Sequence, residues 1–326
     1  MIFSRRWFFT FALVPMFGLM PVTGLMLSCG SDEKEDKEKT GVESFQPFVG
    51  IDYYEVRRTF DSGVSYDSLG FVQLPEWHLR FAKQDSILIY SPFEDRMVGY
   101  NVYHDHAVYF HFARDSWRVV DLHQDSITLQ RLSLNGLKVN KTKSNVYMKF
   151  YSERFIREEL GRANESLESK IAHLRLPTRQ DTAFVRSQVA LANRNPDNLD
   201  STFASRNFAR IESRNPAVKV QKRKIEHIEL TEKSPAYEYL YPEYVITIDP
   251  AYRNFNHDFS VIVDEHGKMH LGKVFVMEDF VEARSRVIQG IIDVYLHNWL
   301  AIQPASTLDM PHASTVYLYV KGRTSE

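Results

Sequence analysis

The side chains able to do chemistry are few. The 326-residue chain holds a single thiol, Cys29, and 12 histidines, of which His104, His106 and His111 stand close together. Residues two apart on a strand share a face, so His104 and His106, with His111 on the next strand, could form the imidazole part of a metal site. No carboxylate or Cys at a fixed spacing completes it, and histidines beside a turn are the commoner outcome. The chain has no Gly-x-Ser-x-Gly, no His-Glu-x-x-His and no phosphate loop. Those patterns set nucleophile, base or metal ligand where the reaction needs them. Their absence from the sequence leads to the expectation of a non-enzymatic protein with no cofactor and no metal. The chemistry that remains is that of the Cys29 sulfur, which can carry an acyl chain.

Cys29 closes a distinctive segment. Arg5-Arg6 precede an uncharged apolar run, Trp7 to Leu27, which ends on Met26-Leu27-Ser28-Cys29. This order resembles the lipobox of bacterial lipoproteins, with Met26 where Leu is usual. The resemblance implies that residues 1–28 are a removed signal peptide and that Cys29 is the acylated first residue of a chain anchored in the cell envelope, at the outer membrane. Ser4-Arg5-Arg6-Trp7-Phe8-Phe9 also resembles a twin-arginine export signal, with Thr10 in place of the usual Lys. The competing reading keeps residues 7–27 as a membrane helix, since about 20 apolar residues span a bilayer. Pro15, Gly18, Pro21 and Gly24 break up that helix. Both readings put residues 30–326 outside the cytoplasm.

With one Cys, no internal disulfide exists and packed cores must carry stability. The net charge of −2 and the export signal argue against nucleic acid as a partner. Residues 29–46 are almost free of apolar side chains up to Ser44 and read as a flexible acidic tether.

The expected fold class is α+β: an N-terminal antiparallel β-barrel or sandwich, a helical and basic connector, and a C-terminal ββαβ domain. Over 47–152 apolar residues alternate, as in Leu79 and Phe81, Val108, Phe110 and Phe112, and Val146, Met148 and Phe150. Turn clusters such as Gln84-Asp85-Ser86, Arg114-Asp115-Ser116 and Asn135-Gly136 separate these strands. The strand order and the Trp-led first strand resemble a small lipocalin-like barrel, which implies either a packed interior or a mouth that holds a small apolar ligand. Five Asp-hydroxyl-apolar triplets, led by Asp67, Asp85, Asp125, Asp181 and Asp200, resemble periplasmic O-glycosylation sequons, and turn chemistry explains the first three equally well.

Residues 153–235 follow. Ile156, Leu160, Ala163, Leu167, Ile171 and Leu174 define one helical stripe. The strongly basic, weakly apolar residues 175–224 read as a solvated, partly helical connector, with attraction to anionic polymers or lipid headgroups as the alternative.

Over 236–326 the pattern is strand, hairpin, helix, strand: Tyr244 to Ile248, Phe259 to Val276 around Asp264-Glu265-His266-Gly267, a helix to Trp299, and Val316 to Val320. Tyr241-Pro242, Val261 to Lys268, Trp299 to Ala305 and Met310-Pro311 resemble motifs of the TonB C-terminal domain family. One extra residue between Trp299 and Pro304, Asp309 for a usual Gly, and the lack of a Pro-rich spanning linker depart from that family. The resemblance implies a binding module whose terminal strand, Val316, Tyr317, Leu318, Tyr319 and Val320, accepts a partner segment along an exposed sheet edge. The alternative is a strand that is central or covered.

Three functions follow as expectations: an envelope adaptor for an outer-membrane transport or assembly complex, with an envelope protein as partner; a TonB-type energy transducer that keeps residues 7–27 as its membrane helix; and a small apolar ligand carrier using the β domain.

Overall fold

The computed structural model describes residues 44–136, 138–158, 164–224 and 236–324. The signal segment, Cys29, nearly all of the tether, and Leu160 and Ala163 of the helical stripe lie outside the described residues.

Alternating apolar residues build the first layer. Its strands are β1 (Asp52–Phe60), β2 (His78–Ala82), β3 (Ser86–Ser91), β4 (Arg96–Asn101), β5 (Tyr103–His106), β6 (Tyr109–Phe112), β7 (Asp115–Leu122) and β8 (Ser126–Leu132). The hairpin β9 (Leu134–Asn135) and β10 (Lys138–Val139) intervenes before β11 (Val146–Ser152). The nine-stranded sheet runs β4-β3-β2-β1-β11-β8-β7-β6-β5. Its two ends, β4 and β5, are separated in the chain by Val102 alone, so the sheet must curl until they meet. The result is a nearly closed antiparallel barrel. One set of alternate residues fills it: Tyr53, Leu79, Phe81, Phe110, Trp117, Ile127, Leu129 and Phe150 are almost fully buried. The opposite set is polar, as where His78 and Arg80 flank Asp52. Phe45, just before β1, plugs the interior by stacking on Phe81 at 4.2 Å and meeting Phe110 at 4.6 Å. Left-handed backbone at Gln84, Asp85, Asp95, Ala113 and Arg114 makes the tight turns where the sequence places them.

The expected single helix over the 156–174 stripe is two: α1 (Glu153–Glu158) and α2 (Leu167–Leu174). Ser166 starts the second by accepting the Ser169 N–H, as an N-cap hydroxyl does. Ile156, Leu167 and Ile171 still share one cluster, against Val56 of β1.

The expected connector is built into the fold. α3 (Arg179–Arg194) opens with a capping box between Thr178 and Asp181 and buries Val185, Val189 and Ala192. β12 (Arg210–Ser213) and β13 (Val218–Lys222) then join other elements. The described residues from Ser44 on belong to one compact unit.

The second layer contains α4 (Tyr237–Leu240), β14 (Glu243–Ile248), β15 (Phe255–Val263), β16 (Met269–Val274) and α5 (Val281–Ile291). α5 continues through a π-turn, Ile292–Leu296, to Trp299. β17 (Leu300–Gln303) pairs with β12, β18 (Ala305–Thr307) and β19 (Met310–His312) form a hairpin, and β20 (Ser314–Gly322) completes the sheet, whose order is β13-β14-β20-β15-β16. A π-turn holds one residue more than an α-turn, so this helix carries an extra residue upstream of Trp299. Asp309 has φ 62°, the conformation that favours Gly.

The edge-strand expectation for Val316 to Val320 is overturned. β20 is the middle strand, parallel to β14 on one side and antiparallel to β15 on the other, so its main-chain groups are already paired. The physical reason is burial: Val316, Leu318 and Val320 are at most 1% exposed and pack with Ile288, Ile291 and Ile292 of α5. A strand that supplies the core from the C-terminus sits at the centre, where both neighbours shield it.

Candidate functional site

Alternation along β20 sends Val316, Leu318 and Val320 toward α5 and Thr315, Tyr317 and Tyr319 to the opposite face. α3 and Phe203 cover part of that face, packing on Ile262 and Ala313. Beside them a cleft of about 310 Å³ remains, lined by Tyr317, Phe275, Tyr241, Leu240, Leu199 and Leu69, with Asp200, Thr202, Ser260, Lys273 and Thr315 as its polar groups.

Four distant stretches of chain are pinned to one another to form it. The Ala204 N–H donates to the Leu69 carbonyl at 2.9 Å, and the Phe203 N–H donates to the Ala313 carbonyl at 3.1 Å. The Val72 N–H donates to the Tyr239 hydroxyl at 3.2 Å, which fixes the turn after β1 against α4. Gly70, at φ +96°, lies so close to the Ala204 backbone that a Cβ would overlap it. Only glycine permits this approach.

The walls are aromatic. The Tyr317 ring meets Phe275 at 6.0 Å and Tyr241 at 6.2 Å, and Tyr241 meets Tyr237 at 4.8 Å. Burial, with Tyr241 and Tyr237 nearby, raises the Tyr317 hydroxyl above its usual pKa, and burial with Glu243 does the same for Tyr319. Both phenols therefore stay neutral and can donate hydrogen bonds. The hydroxyls at the base are largely committed: Thr202 to the Leu199 carbonyl and to Thr315, Ser260 to the Lys273 N–H. Among the described residues, neither the Asp200 carboxylate nor the Lys273 ammonium has an ion-pair partner.

The apolar surface runs past the cleft. Phe275, Val276, Met277, Phe280 and Val281 are all exposed, Met277 at 73%, in the passage from β16 to α5. Clustered apolar exposure beside a cleft is a feature of interaction surfaces. The arrangement suits burial of a partner's apolar side chains, with one acid, one base and two phenols to orient them.

The sequence-derived site residues are thus divided. Tyr317 lines the cleft, and Tyr319 stands on the same face with the Arg223 guanidinium 5.3 Å from its ring. Val316, Leu318 and Val320 are core. Sequence reasoning did not name Phe275, Tyr241 or Leu69 as site residues: Tyr241 entered only as part of the Tyr241-Pro242 motif, Phe275 as part of a strand, and Leu69 as part of an Asp-hydroxyl triplet.

The three clustered histidines do not converge. A bulge between His104 and His106 breaks their common face. His104 binds the Ala107 carbonyl, His106 pairs with Asp105, and His111 bonds Ser116 Oγ at 2.9 Å. Among the described residues no group of three or more His, Cys, Asp or Glu could hold a metal ion. The Ser116–His111 pair lies on the outer barrel wall, and Asp105 is 3.9 Å from His111 Nε2, too far to orient it by a hydrogen bond. Thr307 and His312 also bond, at 2.9 Å, but His312 is wholly buried.

Of the Asp-hydroxyl triplets, Ser68 is exposed, whereas Thr182 bonds the Thr178 carbonyl and Ser201 is buried. At the barrel rim a cavity of about 280 Å³ lies beside Phe45, Val102 and His104, outside the filled interior. No helix among the described residues is long and apolar enough to cross a membrane.

No protein-family model matches this chain, and no curated protein matches its sequence.

Proposed function

We propose that this protein is a non-enzymatic cell-envelope lipoprotein, anchored through Cys29, that acts as a binding and adaptor module for an outer-membrane transport or assembly complex. The observation that carries the reading is the apolar cleft wall of Leu69, Tyr317 and Phe275, followed along the chain by the exposed Val276, Met277 and Phe280. A lone folded domain gains nothing by leaving those side chains in water, since burying each contributes roughly 1.5–3 kcal/mol. The partner docks against side chains of the open sheet face, not along the edge of β20. The hairpin, helix and strand over 255–322 support the likeness to the TonB C-terminal domain family, and the up-and-down barrel supports the likeness to lipocalins. A carrier role has less support, because side chains fill the barrel and a ligand would lodge only at its rim.

Affinity purification of the full chain from crosslinked membranes tests this. An envelope protein recovered with the wild-type chain and lost with Phe275→Glu supports the proposal. A partner set identical for both chains contradicts it.

A further inference from the structure

The outer side of α5 carries a second groove, of about 430 Å³, on the other side of the sheet from the cleft. Val287, Gly290, Ile291 and Val294 form its floor, and Tyr252 and Tyr295 its walls. An amphipathic helix normally turns its apolar stripe inward. Here Val294 is 59% exposed and Tyr252 57% exposed. On the helix side, within a π-turn, Ile292 and Leu296 lie in the core while Val294 between them faces solvent. π-turns of this kind are rare and concentrate at functional positions. Gly290 leaves the floor open, because a Cβ there would have no atom within 4 Å.

Aromatic rings stack in series through the groove's Tyr252 and Tyr295 and beyond it. Phe255 meets Tyr252 at 5.8 Å, Tyr252 meets Tyr295 at 6.3 Å, and Tyr295 meets Trp299 at 4.7 Å. The rim is cationic. Arg253 lies over the Tyr252 ring and, among the described residues, has no carboxylate partner. Among the described residues Arg286 has only the exposed Glu282 one turn away, and Arg284, outside the groove lining, bonds the buried His257 and no acid. The nearby Asp293 is held by Gln289. The groove thus combines an apolar floor, aromatic walls and arginines with spare donors, which is the composition that anchors interface hot spots.

We propose that this groove docks a segment of a protein partner in which apolar side chains are flanked by carboxylates. Charge selects that occupant: of the two rim arginines, among the described residues, only Arg286 has an acid partner, the exposed Glu282, and guanidinium forks pair with carboxylates in a bidentate way. With the cleft on the opposite face, the C-terminal layer then has two docking surfaces and can bridge two proteins.

The test uses the full chain carrying a photo-crosslinking p-benzoylphenylalanine at position 294, irradiated in the cells that produce it. The expected result is an adduct whose mapped partner peptide is acidic and apolar. Its yield should fall at least ~10-fold in the Arg253→Glu/Arg286→Glu double variant and persist in Arg253→Lys/Arg286→Lys and in Phe275→Glu. Absence of an adduct, an adduct indifferent to charge reversal, or an adduct to this chain itself overturns the proposal. All substituted side chains are exposed, and unchanged thermal melts confirm that folding is intact. Because Phe275→Glu reports on the cleft alone, failure of the groove and failure of the cleft are read separately.

Discussion

The Tyr317 ring stacks on Phe275 with planes 20° apart, reaching over β15 from the central strand to the residue just past the edge strand. That contact joins a fixed element to the start of the exposed apolar passage, so the proposed partner would meet a rigid aromatic wall on one side and Phe275, Val276 and Met277 on the other.

Replacing these two residues should therefore separate binding from folding. Phe275→Glu is expected to cost less than about 1 kcal/mol of stability, because the side chain is exposed. It should cost partner affinity 2 kcal/mol or more, roughly 30-fold, if Phe275 is a buried anchor in the complex. Urea unfolding and quantitative capture of the partner measure the two effects independently.

Stability should fall on mild acidification. Burial holds the His312 imidazole down at about 4 from its usual 6.5, so between those values the unfolded chain binds a proton that the folded chain does not. The stabilisation is complete above pH 6.5 and is lost as pH falls toward 4, by up to about 3 kcal/mol. His257, lowered by burial and by Arg284 and Arg253, acts in the same direction. At Asp181, Asp52 and Asp264 burial is outweighed by donors, so these carboxylates ionise below their usual range and lose their contribution only below about pH 4. Urea midpoints at pH 7.5, 5.5 and 4 check this, and His312→Gln should flatten the slope between 6.5 and 4.

Much of the barrel was legible in the sequence because its pairing is local. Alternation at Leu79 and Phe81 and turn residues at Gln84-Asp85 fix both the strand faces and the hairpin between them. The C-terminal sheet was legible only by element. The parallel pairing of β14 with β20 joins residues some 70 positions apart in the chain, and no local pattern encodes which strand is central. β13 escaped notice because Val218 and Val220 are its only apolar residues amid lysines, enough for an edge strand but not for a visible period. α3 was read only as part of the basic segment around it, although Val185, Val189 and Ala192 fall at helical spacing. The cleft was illegible because it needs Leu69, Tyr241, Phe275 and Tyr317 from four separate stretches.

Asp181 ties α3 to the barrel: it pairs with Arg57 and accepts the Ser65 N–H at 2.8 Å while capping its own helix. Asp181→Ala should cost about 3 kcal/mol, since it leaves the largely buried Arg57 without its counter-charge. Hydrogen exchange should show early loss of protection in α3 with the barrel strands intact.

Gly70→Ala should disturb the cleft without touching its ligand-facing groups. The added Cβ must displace the Ala204 backbone, so a loss of 2 kcal/mol or more in stability and weaker partner capture are expected together. Unchanged unfolding would show that the Leu69 turn is not held as described.

Cys29→Ala should release the chain from membranes into the soluble envelope fraction if the acyl chain is its anchor. Retention at the membrane would favour the transducer reading with residues 7–27 kept.

The most direct test of the docking surface compares two exposed apolar positions. A photo-crosslinker at Met277, 73% exposed beside the cleft, and one at Phe93, 98% exposed on the β3–β4 turn, differ in location, not in accessibility. An adduct with one defined envelope protein at 277 and none at 93 is predicted. No adduct at 277, or the same adducts at both positions, would contradict a docking role for this surface.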